Sequence, residues 1–173
     1  MQQIRRKCFE TNSSSLHSIC IYKDYNNPAN LTSLHFGFGD FGHTPERYAS
    51  ISQKAAYLWT AICSSEKRPR DINQKKNKIK EMILEKYPHI RLSFAKFAYD
   101  KSRNTIEIDG YVDHGRYAYD FIEYVLQNSD NLFRYLFGDK SFVQTGNDYE
   151  PVDYPLVGSV RNDKNYTIFY KGN

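Results

Sequence analysis

Two histidines, two aspartates and a run of hydroxyl and amide side chains are the groups in this chain best suited to acid–base chemistry. His17 and His114 could serve as acid and base, with Asp113 or Asp148 orienting them. Asn12, Ser13, Ser14 and Ser15, together with Thr145 and Asn147, could hold a phosphate or a ribose. Two histidines beside a phosphate-binding loop suffice for metal-free RNA cleavage through the 2′-hydroxyl. Asp113 directly precedes His114, but adjacent side chains often point apart, so partners must come from elsewhere in the chain. Each histidine taken alone also fits a structural or surface role.

The serine run is expected to form a hydrogen-bonded turn leading to His17 rather than to supply a nucleophile. Serine needs a base and an oxyanion site, and no elbow motif provides them here. Short hydroxyl and amide side chains bond neighbouring backbone readily, as Asn12 does in turns. Likewise Gly146-Asn147-Asp148 is good turn chemistry, and its functional reading needs Asn147 and Asp148 aimed into a shared pocket. The histidines lack ligand spacing such as HExxH, so no metal is expected.

Residues 37–42, GFGDFG, formally match a dinucleotide-binding fingerprint. That reading needs an acidic residue closing a second strand, whereas KRPRD follows the next helical stretch. No cofactor is expected; an aromatic loop pinned to the core by Phe36, Phe38 and Phe41 is the better account. From Lys67 to Lys80 stand seven basic residues and one acid, including Lys75, Lys76, Lys78 and Lys80. On a helix they make either a ridge for phosphates or an acidic protein, or simply a solvated face. No aromatic residue is interleaved among them to stack on bases.

The elements that must position these groups follow from periodicity. SLHSICIY alternates as a strand, and if that strand began early Ser13, Ser15, His17 and Ile19 would share one side. The clearest helix is expected from Thr44 as cap, with Pro45 at its first position and Glu46 in its first turn. Its core face would be Tyr48, Ile51, Ala55, Leu58 and Ile62. A second helix near 71–87 carries Ile72, Ile79, Ile83 and Tyr87 and stops at Pro88. YAYDFIEYVLQ and SDNLFRYLF read as two more helices, the latter capped at Ser129. NTIEIDGY, SFVQTG, LVGSV and YTIFYK read as strands, and IRLSFAKFAY as either strand or short helix. Strands at both ends with about four helices between them predict a single α+β domain over 1–173, with a short mixed or antiparallel sheet.

Composition agrees with a folded chain of this kind. Apolar residues make up 40% and charged residues 25% of 173 residues, outside the disordered range. The net charge of +4 divides unevenly, +7 over residues 1–100 and −3 over the rest, which suggests one face for an anionic partner. The odd set Cys8, Cys20 and Cys63 argues against a disulfide framework and for reduced, half-buried thiols, although Cys8 and Cys20 could face each other on paired strands. No apolar run of membrane-spanning length and no signal-peptide core is present, so a cytoplasmic location is expected.

Several stretches together resemble a family of small proteins from phages and mobile elements of gut Firmicutes. Its hallmark opening, Phe-Glu-Thr-Asn-Ser-Ser-Ser followed by His-Ser, is matched by Phe9 to Ser18. FGDFG (38–42), KAAYLWT (54–60), Asp113-His114, YLF (135–137) and TGND (145–148) are similar as well, so the resemblance spans nearly the whole chain. It implies a counter-defence setting, with anti-CRISPR inhibitors of Cas9 as a member class and the bacterial effector or its guide RNA as partner. Polar residues that mark a family are more easily explained by a shared pocket than by packing. Three functions follow as expectations: such an inhibitor, a small metal-independent RNA- or nucleotide-processing enzyme, or an assembly factor without a pocket.

Overall fold

The structure, a computed structural model, describes residues 15–42, 44–113, 118–147 and 160–171. Its strands are β1 (Ser15–Tyr22), β2 (Ser33–Phe36), β3 (Asp40–Phe41) and β4 (Glu46–Tyr48) before the first helix. Helices α1 (Ile51–Ser65) and α2 (Pro69–Lys86) follow, then β5 (Arg91–Phe94), β6 (Ala98–Asp100), β7 (Thr105–Glu107) and β8 (Tyr111–Val112). The last part holds α3 (Tyr119–Gln127), α4 (Ser129–Phe137), β9 (Phe142–Asn147) and β10 (Tyr166–Lys171). The fold is α+β. Its main sheet is antiparallel in the order β10-β1-β9-β4, so chain-terminal strands do pair, with four helices between them among the described residues. Three two-stranded pairs complete it: β2 with β5 and β3 with β8 in parallel, β6 with β7 antiparallel.

Helix α1 is the centre of the molecule. Ala55, Leu58 and Ile62 are buried as the three- and four-residue spacing predicts, but so are Tyr57, Trp59, Thr60, Ala61 and Cys63. A helix buried on most sides must satisfy its polar groups internally. Trp59 Nε1 donates to the Ala95 carbonyl at 3.1 Å, and the Tyr135 hydroxyl donates to the Lys54 carbonyl at 2.8 Å. Lys54 Nζ donates to the carbonyl of Gly138, the residue that ends α4, at 2.6 Å.

The start of α1 differs from expectation. Thr44 is not its cap and Pro45-Glu46 is not its first turn, because Glu46–Tyr48 pairs as a strand against β9. The helix begins at Ile51 behind a capping box, in which the Ser50 hydroxyl accepts from the Gln53 amide and the Gln53 side chain accepts from the Ser50 amide. Tyr48 therefore lies on a strand and not on the helix's core face. In α4 the cap is Asn128, one residue earlier than predicted, with its side chain accepting from Asn131 N. The second helix keeps the expected stripe: Ile72, Ile79, Ile83 and Tyr87 are buried, and the helix ends ahead of Pro88. IRLSFAKFAY resolves into two strands, β5 and β6. LVGSV lies almost wholly outside the described residues.

The glycine loop serves packing. Phe36 stacks on Phe94 with ring centres 4.6 Å apart, and Phe41 meets Tyr57 edge-on at 4.9 Å. The loop itself contains β3, and the chain beyond it passes into β4 rather than a helix. Gly110 packs against this loop with φ +155°, and a Cβ there would come within 2.7 Å of the Gly39 carbonyl oxygen. Tyr111 N donates to the Gly39 carbonyl, and this close backbone approach accounts for the glycine at 110. Cys20 and Cys63 are free and fully rather than half buried, and burial pushes the Cys20 thiol up to about 12. Cys8 lies outside the described residues.

Candidate functional site

The main sheet changes character along its helix-facing side. One rung joins Ile19, Val143 and Tyr48 across β1, β9 and β4, and Ile19 and Val143 are buried in the core. The next rung on that side joins His17, Thr145 and Glu46. Beyond it β1 and β9 pair Ser15 with Asn147. An apolar surface thus gives way, within two rungs, to imidazole, hydroxyl and carboxylate groups.

His17 is the hinge of that change. It is 1% exposed, and its Nδ1 lies 3.0 Å from the Tyr57 hydroxyl of α1, in a hydrogen bond whose donor depends on the imidazole tautomer. Burial holds the Tyr57 phenol well above its usual range, so it stays neutral and can donate. On the neighbouring strand Thr145 Oγ1 donates to the Thr44 carbonyl at 2.7 Å. The Tyr48 hydroxyl donates to the Glu46 carboxylate, and burial, followed by this bond and charge, holds the Tyr48 phenol high. Sequence reasoning missed Glu46 and Tyr48 as site neighbours because it placed both on a helix; the alternation of Glu46 and Tyr48 around Arg47 was the available signal.

Separate stretches of sequence meet here. His17 and Tyr57 join β1 to α1. Phe41 of the glycine loop stands edge-on to both Tyr48 and Tyr57, and Asp113 N donates to the Phe41 carbonyl at 2.9 Å. Asp113 is thereby attached by its backbone to the strand whose ring touches Tyr57. Of the three polar segments expected to share a pocket, Asn12 to His17, Asp113-His114 and Asn147-Asp148, the first and last are joined by the pairing of β1 with β9, and Asp113 is tied by its backbone to Phe41. Asn12, Ser13, Ser14, His114 and Asp148 lie outside the described residues, and Ser15 and Asn147 are placed by backbone register alone. Among the described residues no cluster of three or more His, Cys, Asp or Glu could hold a metal ion.

The basic segment lies on α2 and is not uniform. Lys75 Nζ is 2.9 Å from Glu123 and 3.6 Å from Glu66, with its side chain only 19% exposed. Burial alone would lower its pKa, but the Glu123 bond and the two carboxylate charges outweigh it, and the net shift is upward. Lys75 is therefore a structural cation between α1, α2 and α3. It borders an open groove of about 420 Å³ whose walls carry Glu66, Asp71 and Glu123 opposite Arg68, Lys75 and Lys78. These charges balance, so the groove itself does not favour an anion. Lys76 lies over the Phe94 ring at 5.4 Å, Lys78 is exposed and Lys80 is half-buried. Lys67 and Arg70 are also exposed, while Arg68 pairs with Asp71 at 2.6 Å.

No family model, no curated protein and no solved structure matches this chain.

Proposed function

We propose that this is a counter-defence protein of a phage or mobile element, an anti-CRISPR-type inhibitor that binds Cas9 or its guide RNA in the cytoplasm of a bacterial host. The resemblance of the FETNSSSLHS, FGDFG, KAAYLWT and TGND stretches supports the setting. One observation favours binding over catalysis: the nominated acid–base residue His17 is sealed in the core against Tyr57, while Lys67, Arg70 and Lys78 stand in solvent. A general acid or base must reach the proton it moves, and a phosphate-binding cation must be open to a polyanion. Lys78 and Lys80, with Lys76 beside them, would meet the phosphates, whereas Lys75 would hold the helix in place.

The rung of His17, Thr145 and Glu46 across the main sheet favours a second reading, a small metal-independent enzyme acting on RNA or a nucleotide. There His114, with Asp113 or Asp148, would act directly, and His17 would set the local geometry through Tyr57. Pull-down of the protein on guide-loaded Cas9, followed by a denaturing gel of the guide, separates the two. Capture with an intact guide is the expected result; a shortened guide would establish the second reading, and no capture would remove the first.

A further inference from the structure

Helix α2 presents cations but no ring on which a base could stack, and a neighbouring element provides one. Resting on the RNA-binding reading above, we infer that the β6–β7 hairpin, together with Lys76 of α2, is a contact surface for a single-stranded stretch of RNA. Tyr99 is its stacking platform, and Lys76, Lys96, Lys101 and Arg103 face the phosphates.

Tyr99 is 37% exposed, one of two large apolar side chains that stand out among the described residues. The other, Tyr119, is not on the hairpin: it begins α3, where its hydroxyl donates to the Ser65 carbonyl of α1 at 2.6 Å. The Tyr99 ring is braced from within the hairpin. Its hydroxyl donates to Asn104 Oδ1 at 2.7 Å, and Asn104 turns the chain with φ +52°. The Asp100 carboxylate accepts from Ser102 N at 2.8 Å and Arg103 N at 3.2 Å, which fixes the tip. An exposed ring held in one orientation loses little freedom when a base stacks on it.

Cations stand on and near the same hairpin. Lys101 and Arg103 occupy the tip and are exposed, Arg103 with one long approach to Asp100 at 3.6 Å. Lys96 is exposed just before β6. Lys76 Nζ lies over Phe94, the last residue of β5, and the four steps from Phe94 to Ala98 span at most about 14 Å when extended. Glu107 and Asp109 are exposed on the returning strand and beyond it, so a phosphate chain is directed along the Lys96 and tip side. The geometry suits unpaired bases. A hairpin with three-residue strands and one ring cannot read the deep, narrow groove of an A-form duplex, whereas every unpaired base offers a face to stack.

Fluorescence anisotropy with a labelled oligouridine, and with an RNA duplex of equal length, tests this across a salt series. Tyr99→Leu keeps the apolar contact with its cross-strand partner Ile106 and should weaken oligouridine binding roughly tenfold with the salt slope unchanged. The exposed-tip double variant Lys101→Ser/Arg103→Ser should flatten that slope by about 0.7 per cation removed, and it carries the test alone if Tyr99→Leu does not fold. Tyr119→Leu should bind as wild type. Oligouridine binding by wild type that neither hairpin change alters would overturn this surface while leaving RNA recognition by α2 standing. Wild type that binds no RNA but binds guide-free Cas9 would overturn RNA as the partner altogether.

Discussion

His17 Nδ1 and the Tyr57 hydroxyl lie 3.0 Å apart inside the core, linking the third residue of β1 to the seventh of α1. The pair is buried on both sides, so removing either partner takes a hydrogen bond from the other where solvent cannot replace it. Tyr57→Phe should cost about 1–3 kcal/mol of unfolding free energy, the penalty for an abandoned buried partner. His17→Ala should cost at least as much, because a packing defect is added. Urea denaturation checks both. A folded His17→Ala variant of wild-type stability would place His17 in a solvent-filled site instead.

The lysines of α2 should separate by role. Lys78→Ser/Lys80→Ser should weaken RNA binding and flatten its salt dependence by about 0.7 for each phosphate that the variant no longer neutralises. Lys75→Ser should leave the slope unchanged and lower stability, because it removes the cation that sits between Glu66 and Glu123. Parallel salt titrations and melting curves of the two variants make the comparison. Equal effects on binding would return Lys75 to the RNA-facing surface.

Lys54 predicts an unusual pH profile. Burial lowers its pKa from 10.5 to about 8, despite the opposing charge of Asp139. Between those values the unfolded chain binds more protons than the folded one, so this residue's contribution to stability rises with pH. The gain is roughly 1 kcal/mol from pH 8 to 9. Cys20 acts oppositely: its thiol, raised from 9.0 to about 12, makes stability fall as pH climbs above 9. The difference in unfolding free energy between wild type and Lys54→Met, measured from pH 7.5 to 9, isolates the first effect. A flat difference would mean that Lys54 reaches water in the folded protein.

The caps of α1 can be distinguished by substitution. Ser50→Ala removes a side chain that accepts from the Gln53 amide and should cost about 1 kcal/mol. Thr44→Ala should cost far less, since it is the Thr44 carbonyl that Thr145 uses. Thermal melts of the two variants decide which residue starts the helix.

That contrast shows where sequence alone stops. Two start signals precede α1, Thr44-Pro45-Glu46 and Ser50 with Gln53, and both are good local chemistry. Pairing of Glu46–Tyr48 with β9, about a hundred residues away, selects the second. Ile72, Ile79 and Ile83 were legible because one amphipathic helix carries its whole pattern locally. The alternation that put His17 beside Ile19 was legible too, and both are buried. Whether that side of the strand faced a cleft or a core was not, because Tyr57 closes it from another element. The same holds for Lys75, whose partners on α1's end and α3 no spacing rule connects.

Action by binding, as proposed above, is tested most directly by a titration of target-DNA cleavage by guide-loaded Cas9. Stoichiometric binding predicts residual cleavage that falls linearly with added protein and ends at a fixed molar ratio, with the guide intact throughout. Undiminished cleavage at any excess would rule out inhibition by binding, as would complete inactivation by about a hundredth of an equivalent with a shortened guide.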